Sequence, residues 1–161
     1  MKKFKFVHCD PFKCVGCGIC EYICSFMYEK AFRPSSSRIR TVRIYPDKNV
    51  SIACVLCEDP PCVEACPRDA LSQDGLGIIR VEASKCTGCG LCVEACDFGT
   101  IMIHPELRVA LVCNLCDGNP ACIEACPEDA LSLTTREIQA QRKRLKLASN
   151  LTRGLHGIDR N

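Results

Sequence analysis

The sequence predicts an α+β chain: two tandem units related by a pseudo-twofold repeat, each built of short hairpins and short helices around ligand-bearing loops, with a C-terminal helical tail. Three observations predict it. Sixteen of the seventeen cysteines stand in four blocks of four. The blocks repeat as a pair of pairs, the mark of a duplicated supersecondary unit. Past Leu133 the cysteines stop and the chain turns basic, with apolar residues at helical spacing.

The blocks are Cys14, Cys17, Cys20 and Cys24; Cys54, Cys57, Cys62 and Cys66; Cys86, Cys89, Cys92 and Cys96; and Cys113, Cys116, Cys122 and Cys126. Cys14-Val15-Gly16-Cys17-Gly18-Ile19-Cys20 matches Cys86-Thr87-Gly88-Cys89-Gly90-Leu91-Cys92. Cys62-Val63-Glu64-Ala65-Cys66-Pro67 matches Cys122-Ile123-Glu124-Ala125-Cys126-Pro127, and the match continues to Ser72 and Ser132. The offset is 72 residues at the first cysteine of one pair and 59 at that of the other, so the first unit carries an insertion of 13, between Ser25 and Ala53.

Three thiolates each separated by two residues let one loop wrap a corner of an iron–sulfur cube, and the fourth, after three more residues, can reach a different cube. Zinc knuckles also use Cys-x-x-Cys, but a zinc site takes two ligands from each of two knuckles and has no place for a third cysteine two residues on. The sixteen cysteines therefore predict four 4Fe-4S clusters, with each module a two-cluster unit.

The remaining elements follow in order. Cys9 lies in a strand-like run and reads as a small buried thiol. Arg33-Pro34-Ser35-Ser36-Ser37 is a polar loop leading into the β-prone Arg38-Ile39-Arg40-Thr41-Val42-Arg43-Ile44-Tyr45, which reads as a solvated edge strand or as a segment that docks a partner or shields a cluster. Leu71-Ser72 and Ile78-Ile79-Arg80-Val81 form a hairpin about Asp74-Gly75, and Ile101-Met102-Ile103 and Arg108-Val109-Ala110-Leu111 a second about His104-Pro105-Glu106. Gly16, Gly18, Gly88 and Gly90 let the cysteine loops take positive φ and aim amides at sulfur. From Thr135 onward, Ile138, Leu145, Ala148 and Leu151 form one helical stripe, with Arg142, Lys143, Arg144 and Lys146 largely off it. Lys13 and Lys85 precede blocks and read as solvated or charge-screening; His8, His104 and His156 have no metal-ligand spacing and read as structural.

Cysteine is about a tenth of the chain and Trp is absent, so bound inorganic cores must supply much of the folding energy. Residues 1–133 carry 14 Lys and Arg against 17 Asp and Glu, and residues 134–161 carry 7 against 2. Each oxidised cube with its thiolates adds roughly −2, which makes the body strongly acidic and draws the basic tail to it or to an acidic partner. Nucleic acid is disfavoured, since no aromatics interleave with the tail's cations. The N-terminus holds no apolar run long enough for a signal peptide or a membrane span, which predicts a cytoplasmic chain with reduced thiols. No nucleophile with an adjacent base, no nucleotide loop and no open metal site is visible, so the chain reads as a non-catalytic relay of single electrons.

The alternation of a plain block, an x4 block ending Cys66-Pro67, a plain block and an x5 block ending Cys126-Pro127 resembles bacterial-type ferredoxins. Over residues 8 to 133 it resembles the four-cluster ferredoxin-like subunits of molybdenum, tungsten, nickel and hydrogenase complexes. Compact length and Ser35-Ser36-Ser37-Arg38-Ile39-Arg40 look most like the small subunits of tungsten-containing aldehyde oxidoreductases. The resemblance implies tandem bacterial-type ferredoxin-like modules in a body of residues 1–133, the outer module from 9–53 and 97–133 and the inner one 54–96, with 134–161 as the tail. It implies that Cys14, Cys17, Cys20 and Cys126 hold one cluster and Cys113, Cys116, Cys122 and Cys24 the second. Cys54, Cys57, Cys62 and Cys96 would hold the third, and Cys86, Cys89, Cys92 and Cys66 the fourth. It implies a catalytic partner of the tungsten or molybdenum pterin type, with a ferredoxin or further redox subunit as acceptor. A free polyferredoxin shuttle and a zinc-stabilised interaction module are the alternatives. Two positions depart from the ferredoxin motif: Ser25 and Asp97 stand where proline follows the fourth cysteine. Asp97 reads as a helix-start Asp, or as a charge that lowers its cluster's potential.

Overall fold

The structure is a computed structural model in which residues 4–44, 46 and 48–155 are described; Tyr45 and His156, named above, lie outside them. In chain order the elements are β1 (Phe6–Cys9), α1 (Ile19–Glu29), β2 (Ile39–Ile44), β3 (Lys48–Ala53), α2 (Pro61–Glu64), β4 (Leu71–Gln73), β5 (Ile79–Val81), α3 (Leu91–Glu94), β6 (Met102–Ile103), β7 (Ala110–Leu111), α4 (Ala121–Glu124), β8 (Leu131–Thr134) and α5 (Arg136–Leu155). Short 3-10 turns at Pro34–Ser36 and Leu115–Gly118 complete it. Among the described residues the strands form four antiparallel pairs: β1 with β8, β2 with β3, β4 with β5, and β6 with β7. The two hairpins read from the sequence are β4–β5 and β6–β7.

One pairing spans nearly the whole chain. β1 lies on β8 with Phe6 opposite Thr134 and Cys9 opposite Leu131, so the segments before the first block and after the last are stitched together. β4–β5 does the same for the second and third blocks, with Leu71 opposite Val81. Asp74 makes its turn, accepting at Oδ1 from the N–H groups of Leu76 and Ile78, both at 2.9 Å. Helix α1 packs on α4, and α2 on α3.

The short helices stop where their sequence requires. α2 and α4 run into Cys66-Pro67 and Cys126-Pro127, and a residue before proline is pushed out of the helical region. α3 stops at the same place without a proline. Asp97 follows it in a turn, which corrects the helix-start reading: the residue lies beyond the end of one helix and begins none. By contrast α1 runs 11 residues, straight through Cys24-Ser25, because no proline halts it. Ser25 is fully buried; its hydroxyl donates to the Tyr22 carbonyl at 2.9 Å and accepts from the Arg33 N–H at 3.0 Å. The departure at Ser25 thus serves the insertion, whose return path it anchors.

The apolar core is thin and interleaved with sulfur. Ile39, Leu56, Ile78, Ile79 and Ile101 are buried together with Cys20, Cys24, Cys54, Cys62, Cys92 and Cys122. Helix α5 stands off this body: Ile138, Leu145, Leu147 and Leu151 are all exposed, and Lys146 sits 3.7 Å over the Phe12 ring. No helix among the described residues is long and apolar enough to cross a membrane.

Gly88 has φ +66, and a Cβ there would lie 2.2 Å from the Arg108 carbonyl oxygen, whereas Gly90 has φ +88 with open space around it. Gly88→Ala should destabilise the protein by roughly 3 kcal/mol or more, combining left-handed strain of about 1–2 kcal/mol with overpacking of about 1–3 kcal/mol. Gly90→Ala should cost the strain alone. Denaturant midpoints of the two variants at equal metal content check this; equal losses would show that the Arg108 contact is without consequence.

Candidate metal centres

Each cysteine loop makes the same bend. The residue just before the second cysteine has positive φ in all four blocks: Gly16 at 72°, Leu56 at 48°, Gly88 at 66° and Leu115 at 57°. For leucine that conformation costs about 1–2 kcal/mol. Burial of Leu56 to 1% and Leu115 to 6% exposure offsets it, since a buried leucine returns about 1.5–3 kcal/mol. Sequence reasoning finds the glycines but misses the two leucines, whose backbone geometry has no composition signal.

The loops close four cavities. One is lined by Cys14, Cys17, Cys20 and Cys126, and a second by Cys24, Cys113, Cys116 and Cys122. A third is lined by Cys54, Cys57, Cys62 and Cys96, and the fourth by Cys66, Cys86, Cys89 and Cys92. The strand pairs bring distant cysteines to one cavity. The Asp10 N–H donates to the Ala130 carbonyl at 2.8 Å and the Cys14 N–H to the Asp10 carbonyl at 3.1 Å, which sets Cys126 beside the first block. The same steps recur as Glu82 N–H to Ala70 at 2.8 Å and Cys86 N–H to Glu82 at 3.2 Å, which set Cys66 beside the third.

Burial pushes the Cys54 and Cys62 thiols up to about 12, and the neighbouring thiolates of their own cavity push the same way. Cys92 and Cys122 are raised for the same two reasons, burial first. Four crowded sulfurs of this kind hold thiolates only around a cationic core. Cys66 and Cys96 go the other way: burial raises them, but N–H groups of Arg68, Ala70 and Leu71 at Cys66, and the Thr100 hydroxyl with neighbouring amides at Cys96, bring them below the usual thiol value. Ala70 N–H reaches the Cys66 sulfur at 3.3 Å and Ala130 N–H the Cys126 sulfur at 3.3 Å.

The insertion covers two of the cavities. The Ser51 and Thr41 hydroxyls each lie 3.4 Å from the Cys20 sulfur, and the Arg38 N–H donates to the Cys24 sulfur at 3.2 Å. Arg43 Nε donates to the Gly16 carbonyl at 2.8 Å, and Arg40 pairs with Glu21 at 3.6 Å. The β2–β3 hairpin is therefore a two-stranded cover over these cavities, with an exposed outer end at Val42 and Ile44. Arg38, Thr41 and Ser51 were not singled out as contacts to sulfur, because those contacts span 14 to 31 residues and no local pattern announces them.

Among the remaining candidates, Cys9 is buried and its thiol is pushed up to about 12 by burial, the nearby Cys14 adding to the rise. His104 is buried; its Nε2 meets the Glu29 carboxylate at 2.7 Å and its Nδ1 accepts from Glu106 and Leu107 N–H, which makes it a tie between α1 and the β6–β7 turn. Lys85 pairs with Glu82 on the surface at 2.7 Å. A tetrahedral zinc ion draws thiolates to within about 3.8 Å of one another, given Zn–S of about 2.3 Å. No three His, Cys, Asp or Glu side chains among the described residues converge in that way; the four sulfurs of each set are spread around a cavity, which suits a polynuclear core.

The 4Fe-4S dicluster domain family matches residues 48–136, and a 4Fe-4S binding domain family matches residues 11–28. The polyferredoxin-like subunit of an aliphatic sulfonate oxidoreductase from Pyrococcus furiosus is 44% identical over 106 residues, 65% of this chain and 61% of that protein. A putative electron transport protein of Escherichia coli, YsaA, is 37% identical over 120 residues, covering 69% of this chain and 75% of its own. The chain thus spans less than two thirds of the first relative. Among solved structures, a chain of the BamBC active site complex of benzoyl coenzyme A reductase superposes with a TM-score of 0.51 at 27% identity, over 95% of this chain and 93% of that one.

The two departures from proline should respond differently to its restoration. Ser25→Pro removes a helix-interior N–H from α1 and both hydroxyl bonds, and should destabilise the protein by about 3 kcal/mol or more. Asp97→Pro places proline where Pro67 and Pro127 already stand in their own blocks, and should be tolerated to within about 1 kcal/mol. Denaturant unfolding of the two variants decides; a stable Ser25→Pro protein would show that the extended helix is dispensable.

Proposed function

The chain belongs to the 4Fe-4S dicluster domain family, and we propose that it is a non-catalytic iron–sulfur protein that relays single electrons through four 4Fe-4S clusters as a subunit of an oxidoreductase complex. The observation that carries this reading is the presence of four cavities, each lined by four cysteines. Bound there, each cluster would supply a one-electron couple. The chain's part is to hold the thiolates, donate N–H and O–H groups to them and limit water.

We assign the ligands by cavity: Cys14, Cys17, Cys20 and Cys126; Cys24, Cys113, Cys116 and Cys122; Cys54, Cys57, Cys62 and Cys96; Cys66, Cys86, Cys89 and Cys92. Residues 54–96 then form an inner two-cluster module inside an outer one made from 9–53 and 97–133. The sites follow one another in that order. The Cys20 thiolate acts on Cys122, and that of Cys113 on Cys54, so the first set lies close to the second and the second to the third. Cys17 and Cys89, in the first and last sets, are the exposed cysteines, and these ends would exchange electrons with partners.

The partner is a catalytic oxidoreductase subunit, in keeping with the relative named as a subunit of such an enzyme. A tungsten or molybdenum pterin enzyme is the type the resemblance of the Ser35–Arg40 segment favours, with a ferredoxin or another redox subunit at the far end. Copurification from the native source with mass spectrometry would identify it; recovery of the chain alone would favour a free shuttle.

Anaerobically prepared protein should contain roughly sixteen iron and sixteen labile sulfides per chain, as four cubes require. In Cys126→Ser, damage should fall on the cluster of Cys14, Cys17 and Cys20, seen by paramagnetic resonance as one altered signal among four. Damage centred on the Cys113, Cys116 and Cys122 site would overturn the ligand assignment.

Ser51→Ala removes a hydroxyl from the Cys20 sulfur. Hydrogen bonds to sulfur favour the reduced, more negative core, so one of four midpoint potentials should fall while the others hold, as read by a potentiometric titration.

A further inference from the structure

The segment inserted between the first two blocks brings a cation to the second cavity. Arg38 lines the cavity of Cys24, Cys113, Cys116 and Cys122, its backbone N–H donating to the Cys24 sulfur at 3.2 Å. Its guanidinium carbon lies over the Tyr28 ring, 3.3 Å from the centroid. Tyr28 is held in turn by donating its hydroxyl to Asn114 Oδ1, which also accepts from the Cys116 N–H. The Nε of Arg38 is buried and has no hydrogen-bond partner among the described residues. No carboxylate among them pairs with Arg38, although Arg33, Arg40 and Arg80 all have one. A guanidinium partly withdrawn from water, its Nε left without a partner, is costly unless a negative charge lies beside it. The four sulfurs of the cavity are the negative charge at hand.

The other cavities differ in sign or exposure. Among the described residues no cation lines the Cys14 or the Cys54 set, and the carboxylate in each lining, Glu128 and Asp97, is solvent-exposed. Arg68 lines the Cys66 set but is solvent-exposed, where water and salt screen it.

We propose that Arg38 is the built-in counter-charge of the Cys24, Cys113, Cys116 and Cys122 site and makes its cluster the highest-potential, first-reduced of the four. The inference rests on the reading that each cavity holds a 4Fe-4S cluster. Reduction adds one electron from the donor, takes up no proton and makes or breaks no bond. It leaves the core one charge more negative, so a fixed, half-buried cation at the cavity wall stabilises the reduced form and raises the potential. The second site then holds an electron in the interior of the series, between two neighbours whose linings carry carboxylates. Electrons would be drawn inward from the exposed end and released onward singly.

The test is a dithionite potentiometric titration of the full chain carrying its clusters, followed by paramagnetic resonance, in the wild type, Arg38→Gln, Arg38→Lys and Cys116→Ser. Cys116→Ser identifies the couple of the second site as the one it alters. That couple should be the highest in the wild type. In Arg38→Gln it alone should become at least tenfold harder to reduce, 59 mV for one electron, with iron content unchanged, and Arg38→Lys should restore most of the shift. Loss of about four irons in Arg38→Gln but not in Arg38→Lys would also uphold the charge as the operative feature. An unmoved couple, an equal shift of all four, or iron loss in both variants would overturn the inference and leave Arg38 a packing residue. Four couples that ignore Arg38 leave the four-cluster reading standing; fewer than four in the wild type defeat that reading first.

Discussion

Mutual repulsion among four crowded thiolates, one or two of them buried at every site, is the constraint on which the rest of this structure depends. Sulfur occupies the places that aliphatic side chains would fill in an ordinary core, and burial makes its anionic form costly. A chain with so little apolar bulk and no Trp gains its stability when a cationic core joins the thiolates. The loops are arranged accordingly. Two leucines accept left-handed backbone at Leu56 and Leu115 because the loop geometry matters more than their local preference. The N–H groups beyond Cys66, Cys96 and Cys126 turn back onto sulfur.

The insertion gives the two halves of the repeat different characters. Helix α1 runs on past Cys24, Ser25 anchors the returning chain at Arg33, and the β2–β3 hairpin lays Thr41, Ser51 and Arg38 on the first two cavities. The other two cavities have no such cover and rely on their own turns, with Thr100 at Cys96 and Ala70 at Cys66. A duplicated unit would give pairwise similar sites; added hydroxyls and a half-buried guanidinium separate them. In a relay, unequal sites give electrons a preferred resting place.

Helix α5 follows a different logic. Its apolar side chains are exposed and its cations face solvent, with Lys146 over Phe12 as a contact to the body. Such a helix gains little from the body it leaves. Charge opposite to that of a cluster-loaded body, on a stripe of exposed leucines, suits an element that finishes its packing in an assembly.

The cysteine spacing by itself determined the kind of cofactor, because metal–sulfur chemistry needs ligands within one loop and loops are written contiguously. The hairpins about Asp74-Gly75 and His104-Pro105-Glu106 were legible for the same reason, their turn chemistry being local, and so was the C-terminal helix. Tertiary structure decided what depends on distant strands. β1 on β8 sets Cys126 beside Cys14, although the two stand 112 positions apart in the sequence; the sequence offered that grouping only through a resemblance. It also decided that Asp97 stands in a turn beyond a helix and that Ser25 ties down an insertion. And it brought a hairpin that read as a solvated edge strand or a shield over sulfur. Hydrogen bonds from Arg38, Thr41 and Ser51 leave no periodicity in a sequence, since they arise only when an inserted segment folds back across a neighbouring site.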